Sequence, residues 1–458
     1  MGFRSSEPAI DRRVTHFSMF GSQTPSSPEA YGALIERDFR RNLSAFAGWE
    51  FLWGLGVPFA LTTTFAPAYL DALQSPTVLI ALVLTFPSLF SSFQLIVNYH
   101  TSSSRRLRVF GYSQMGSMLP WLAYSALSFV CGEYWPAPVH WLLFTLCLAV
   151  FNAMQCGPSS LYWEIMTDNT PKLRRGLLIG WRAAGFGGAG LSMGYFAGRV
   201  MSHWGTPQNF RVSFLVGTIL YFLSCFMLLR VRDHINPAHN RQMGDDQPPW
   251  REYVLRTVHE LWSNPNYRIF FFFYTLLMVC ITTAPFMVAA AKGGLGATAQ
   301  QQGFFGLVYL GTIASLGWAI GLLADRFGYR LIGCICSILL AGAFLICLFS
   351  RSIYLWYLAF AAYATCSFSA PALLSYMSAE LCPHVPLGRL LAVGNVLIVA
   401  FVLLASLIAG AVVDSTGSYA PVFLANFVIS VVAIFGFIFI VREPRSGQLY
   451  IIKTIPKG

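Results

Sequence analysis

Apolar runs of about 20 residues recur twelve times along the chain, separated by short connections carrying Arg, Lys, Gly and Pro. A helix of about 20 residues crosses the ~30 Å hydrocarbon core of a bilayer, so each run predicts a transmembrane helix. The expected spans are Ser44–Phe65, Thr77–Tyr99, Gly111–Val130, His140–Trp163, Leu177–Met201 and Val212–Leu229, then Ile269–Ala290, Gly303–Leu323, Leu331–Phe349, Ile353–Met377, Leu390–Val413 and Tyr419–Val441. The longest connection follows the sixth. The pattern therefore predicts an all-α membrane protein in five parts: an N-terminal tail (1–43), a six-helix bundle (44–230), a linker (231–267), a second six-helix bundle (268–441) and a C-terminal tail (442–458).

The connections carry the orientation. Those on the side of the two tails hold 25 of the 30 Lys and Arg residues, the opposite side holds four, and Arg182 lies within a span. Positively charged loops stay cytoplasmic, so both termini are expected in the cytoplasm and the protein in the plasma (inner) membrane. In the linker, Trp250, Tyr253, Val254, Val258, Leu261 and Trp262 recur at helical spacing opposite Arg251, Glu252, Arg256 and Glu260. That pattern predicts a helix lying in the membrane interface and stopping at Asn264-Pro265.

Composition agrees: 56% of the 458 residues are hydrophobic and 11% charged, far from the balance of a soluble domain. The net charge of +11 is spread between apolar runs and not gathered on one face, which argues against a nucleic-acid partner. The ten Cys contain no Cys-x-x-Cys and read as small buried hydrophobes. With no P-loop string and no His pair at ligand spacing, neither cofactor nor metal is expected. Gly190-Leu-Ser192-Met-Gly194 satisfies a hydrolase string that needs a strand, turn and helix, a setting a membrane span does not provide, so no enzyme activity is expected.

The two halves repeat. Asp168-x-x-Pro171 followed by Gly176 recurs 212 residues later as Glu380-x-x-Pro383 followed by Gly388, and Phe110-Gly111-Tyr112-x-x-x-Gly116 recurs 217 residues later as Phe327-Gly328-Tyr329-x-x-x-Gly333. Repeated halves are the build of many secondary transporters, in which one half rocks against the other around a midplane site.

The segment Gly321-Leu-Leu-Ala-Asp325-Arg326-Phe-Gly328-Tyr-Arg330 is similar to the Gly-x-x-x-Asp-Arg-x-Gly-Arg-Arg loop of the major facilitator superfamily, and with it the whole apolar body resembles that superfamily. The resemblance implies a cytoplasmic gate. Asp325 would sit under the N-terminus of the fifth span, a favourable place for a carboxylate, and Glu380 would pair with Arg326 or Arg330. In the first half Arg108 stands where Asp325 stands in the second, so one of the two latches is expected to be missing. Tyr162-Trp163-Glu164, Asp168-x-x-Pro171, Arg175 and Gly180-Trp181-Arg182 resemble more locally the cation-coupled glycoside-pentoside-hexuronide symporters.

An ionisable side chain inside hydrocarbon costs at least ~2.5–3.5 kcal/mol and is a functional candidate by default. Glu50 lies about 9 Å of helix rise inside the first span and Arg182 at a similar depth in the fifth, while Glu164 closes the fourth from the same side, just before Asp168. These four are the expected coupling residues, with a Glu that changes partner acting as proton carrier; a static ion pair near the headgroups is the alternative. Trp53, Gln94, Asn98, Asn152, Gln155, Tyr363, Ser367 and Asn395 are the expected lining of a substrate cavity, with interhelical hydrogen bonding as the other use of such groups. The resulting expectation is a monomeric secondary active transporter taking a small-molecule substrate by symport with a proton rather than sodium. A proton-coupled exporter is the second reading, and a transporter-fold receptor or assembly protein the third.

Overall fold

The computed structural model describes residues 22–25, 27–60, 65–237 and 248–445. The outer parts of the expected tails and the middle of the linker lie outside these residues. All twelve apolar runs fall on helix within the described residues. Eight helical stretches there, those of the fourth, sixth and seventh to twelfth spans, are long and apolar enough to cross a membrane on length and composition. The first, third and fifth spans are equally long helices (Pro28–Ala60, Arg106–Cys131 and Arg175–His203) diluted by polar residues and glycine, and the second is interrupted at Ser92 between Thr77–Ser91 and Phe93–Tyr99. The polar content of those helices is where the chemistry described below resides.

Breaks fall where backbone chemistry demands them. Gly157-Pro158 divides the fourth span into Ala137–Cys156 and Ser159–Asp168, and Pro285 divides the seventh into Pro265–Thr283 and Phe286–Leu295, since a proline inside a helix removes a hydrogen bond and crowds the preceding turn. Between the eighth span (Ala299–Phe327) and the ninth (Tyr329–Phe349), Gly328 holds φ at +88°, which only glycine adopts readily. The linker helix runs Trp250–Ser263 and stops at Asn264, whose Oδ1 accepts from the backbone N–H groups of Asn266 and Tyr267 at 3.0 and 3.2 Å and so caps the seventh span. This helix buries Tyr253, Thr257 and Leu261 and leaves Trp250, Leu255 and Trp262 exposed.

The first span is the inner part of a helix that begins at Pro28, so residues 28–43, expected as tail, extend the helix toward the linker face. Their apolar side, Ile35 and Phe39, is buried, and Asn42 exchanges two hydrogen bonds with the backbone of Arg232 at 3.0 and 2.9 Å. A short parallel strand pair, Ser22–Gln23 with Asp233–His234, ties the segment before the first helix to the one after the sixth.

The halves meet along two seams. The fifth span packs against the eighth, and the second and fourth against the eleventh, Leu387–Thr416. At the first seam Gly176 and Gly321 lie backbone to backbone, each where a Cβ would run into the other's carbonyl oxygen. Small residues let membrane helices approach this closely.

Candidate functional site

Two buried charge clusters lie in the first half. In the inner one, Glu50 of the first span and Arg182 of the fifth form an ion pair, with Arg182 Nε donating to Glu50 Oε1 at 3.0 Å and Nη2 contacting the same oxygen. Both side chains are more than nine-tenths buried. The Tyr162 hydroxyl donates to the same oxygen at 3.3 Å, and the guanidinium lies over the rings of Tyr162 and Trp163, at 5.2 and 5.1 Å from their centroids. Arg182 Nη1 is buried and has no hydrogen-bond partner among the described residues. Spans 1 and 5 come together here because Gly54 and Gly185 present bare backbone, to Phe186 and Ala47 respectively.

Glu164, expected among the same coupling residues, does not share this cluster. Tyr162 faces Glu50, and a residue two positions on lies about 200° around the helix. Glu164 instead meets Arg106, the first residue of the third span, at 3.0 Å. Arg106 is fully buried and also holds Asp168 at 2.5 Å and Asp233 through two bonds, Nε to Oδ2 at 3.1 Å and Nη2 to Oδ1 at 2.8 Å. Asn169 completes the arrangement, donating to Asp233 Oδ1 at 2.7 Å and accepting from the His234 backbone N–H at 2.7 Å. Beside it, Asp38 takes His234 Nε2 at 2.8 Å and Arg232 at 2.9 Å. Burial raises the Asp38 carboxyl, but hydrogen bonds from Arg37, His234 and Arg232 outweigh it and hold it at about 2. Arg106 and Asp233 are the members of this cluster that sequence reasoning missed: one reads as a positive loop residue, the other as linker.

The four expected coupling residues thus divide into Glu50 with Arg182, and Glu164 and Asp168 with Arg106.

At the seam between the halves, Asp325 accepts from the backbone N–H groups of Gly176 and Leu177 at 2.6 and 2.7 Å, which places its carboxylate at the N-terminus of the fifth span. The first half has a counterpart, contrary to the expectation of a missing latch. Glu164 Oε2 accepts from the Gly388 N–H at 2.8 Å, in the first turn of the eleventh span. Gly388 is the sequence repeat of Gly176, and at both positions a Cβ would collide with the carboxylate. The carboxylate comes from the fourth span instead of the second-to-third connection, where Arg108 stands.

Glu380 pairs with neither Arg326 nor Arg330, another correction. It holds Arg445 of the C-terminal segment through Nε at 2.8 Å and Nη2 at 2.5 Å, with Arg175 at 3.8 Å. Arg445 in turn donates to the Ala324 and Lys172 carbonyls at 3.2 and 3.4 Å, so the segment after the twelfth span closes over the seam. Arg330 is occupied by the Phe437 and Ile438 carbonyls, and its own N–H donates to Glu443 Oε2 at 2.9 Å. Arg326 lies over the ring of Phe327.

The uncharged candidates scatter. Asn395 donates to Gln94 Oε1 at 2.9 Å, joining the eleventh span to the second. Asn98 reaches Ser160 and the Gln94 carbonyl, Gln155 donates to Ser117 Oγ at 2.8 Å, and Asn152 bonds the Leu148 carbonyl of its own helix. Tyr363 and Ser367 gather around Tyr309, and Trp53 stacks on Tyr221 at 4.2 Å.

Two six-span repeats, joined at one face by helix-capping carboxylates, have the architecture of an integral membrane transporter. The family model described as Major Facilitator Superfamily matches residues 45–291 and again residues 281–453; the chain belongs to that superfamily. Similar solved structures include the human organic anion transporter TETRAN (14% identity, TM-score 0.62, 87% of this chain and 99% of that one). The fucose:proton symporter FucP of E. coli (11%, 0.64, 87% and 98%) and a bacterial homologue of the iron transporter ferroportin in an outward-facing state (12%, 0.63, 86% and 98%) share the same fold. No curated protein matches the chain by sequence.

Proposed function

We propose that this protein is a secondary active transporter that moves a small solute by alternating access, coupled to protons by symport, with both termini cytoplasmic. The observation that carries this reading is the buried Glu50–Arg182 pair, the ionisable pair held deepest in the span that opens the first half. A carboxylate in that position either stays ionised against its guanidinium or takes a proton and lets go, which gives the first half two states that a proton selects between. The fold it shares with a fucose:proton symporter supports symport, and the 25-to-4 distribution of basic residues supports the orientation. The gate residues Gly321, Asp325, Gly328, Arg330 and Glu380, together with Glu164 and Arg445, would hold the linker face closed until the solute and proton are bound.

The test uses purified protein in liposomes that enclose a pH indicator. Adding a transported solute outside, with no imposed pH difference, is expected to acidify the lumen as solute and proton enter together. A solute that enters with no change in lumenal pH would contradict proton symport. A reporter joined after Gly458 that is accessible from outside the cell would contradict the orientation.

A further inference from the structure

The inner cluster contains donors without acceptors. Among the described residues, Arg182 Nη1 is buried with no partner although its other nitrogens are bound to Glu50, and the hydroxyl of Tyr376, from the tenth span in the other half, is also buried and unpartnered. Tyr376 is fully buried and lies close enough to Arg182 and Arg175 to interact with both, with its ring edge-on to Trp163 at 6.2 Å and under the Arg175 guanidinium at 5.3 Å. A buried donor without an acceptor costs free energy, and two such donors, one from each half and both beside Trp163, call for a ligand rich in acceptors. The ring of Trp163 lies under the Arg182 guanidinium and edge-on to Tyr376, and that of Tyr162 lies under the same guanidinium.

Charge then decides what that ligand requires. Arg182 and Glu50 together are neutral. An anion entering beside them adds an uncompensated negative charge in a dry site, which is strongly unfavourable unless one carboxylate is neutralised. The groups facing Glu50 are Arg182 from the fifth span, Tyr162 from the fourth and Tyr376 beyond them from the tenth. The sixth span presents Tyr221 to Trp53 and Gly56, and Met227 to Gly48. Among these, Glu50 is the carboxylate.

We infer that the site between Arg182 and Tyr376 binds a small organic monocarboxylate, and that the carboxylate replaces the ionised Glu50 as partner of Arg182 while Glu50 takes up one proton. This inference rests on the symport reading and gives it a substrate class and an electroneutral stoichiometry of one anion to one proton. Arg182 contributes a charged donor and Tyr376 a neutral one, so the ligand bridges the halves.

The experiment measures tryptophan fluorescence of purified protein titrated with formate, acetate, benzoate and glucuronate, and with benzamide as the uncharged relative of benzoate. Wild-type affinity for at least one carboxylate is expected to rise as pH is lowered, by up to roughly tenfold for each pH unit, as uptake of one proton requires. Glu50→Gln, already neutral, is expected to bind that carboxylate with an affinity that no longer varies with pH. The double variant Glu50→Gln/Arg182→Gln removes both charges without stranding either, and is expected to lose binding while keeping its fold. Tyr376→Phe is expected to weaken binding about five- to tenfold, as loss of one hydrogen bond does. The inference is overturned if no carboxylate binds wild-type protein, if benzamide binds as well as benzoate, or if Glu50→Gln abolishes binding. Carboxylate binding without proton-driven accumulation in liposomes would leave the site standing and refute the transport reading; proton-driven accumulation of neutral solutes alone would do the reverse.

Discussion

The two seams of the molecule use one device built in two ways. At the fifth span, the carboxylate of Asp325 reaches the helix from the last turn of the eighth span and bonds two backbone N–H groups. At the eleventh span, Glu164 reaches from the end of the fourth, accepts from the Gly388 N–H, and is at the same time held by Arg106. Each carboxylate faces the positive end of a helix macrodipole, and each sits over a glycine that leaves it room. The difference is in what else moves. Asp325 is a plain cap, whereas Glu164 links its cap to a buried cluster of Arg106, Asp168 and Asp233, so opening the second seam also disturbs the packing of the first half against its own linker.

Glu164→Gln tests that difference with the largest effect. The amide keeps a carbonyl for Gly388 and leaves Arg106 with Asp168 and Asp233, but it removes the charge from two bonds, to Arg106 and to Gly388, each worth about 1.5–3 kcal/mol. Thermal unfolding of the purified variant is expected to shift to markedly lower temperature, together with increased labelling of cysteines facing the linker side. A variant as stable as wild type would show that the two caps are equivalent. Asp325→Asn is expected to change the balance of states more than stability. Loss of a charge-assisted cap of about 2 kcal/mol is a shift of roughly thirtyfold toward states open at the linker face, read by cysteine labelling or by distances between spin labels on the two halves. Unchanged accessibility would remove the latch from the account.

The smallest effect belongs to Asp38, which braces the first helix against the segment after the sixth span. Its carboxyl is held at about 2 in the folded protein, below the ordinary value of about 3.9. The sign follows from linkage: its contribution is complete above about pH 4 and is lost as pH falls toward 2. Asp38→Asn is therefore expected to flatten the acid side of the stability curve and leave relative stability near neutrality shifted by a constant amount. An unchanged acid limb in the variant would show that Asp38 does not act there.

Much of this arrangement was legible along the chain because it obeys periodic rules. Twelve apolar runs and the depth match of Glu50 with Arg182 follow from helix rise and from where charge is costly, while the capping role of Asp325 is what the resemblance of its segment to the superfamily's loop implies. The Gly176 and Gly388 repeat was visible too, yet its meaning in the first half was not, because the carboxylate opposite Gly388 comes from a different connection. Arg106 resembled any positive-inside loop residue, and nothing local distinguishes a fully buried guanidinium from a solvated one; its three acidic partners lie 58 to 127 residues away. Glu380 was paired with its neighbours in the motif, but the C-terminal segment, polar and unpatterned, folds back and supplies Arg445. Tertiary return of a tail leaves no periodic trace.

The most direct measurement is made on Glu50→Gln in liposomes, with a solute that the lumenal pH assay identifies. Fixed in the neutral form, the side chain cannot carry a proton in and out. Accumulation against a gradient under an imposed pH difference is expected to vanish, while exchange of labelled for unlabelled solute at equal concentrations persists, since exchange moves no net proton. If Glu50→Gln accumulates the solute as wild type does, the Glu50–Arg182 pair is not the coupling element, and the central account is wrong.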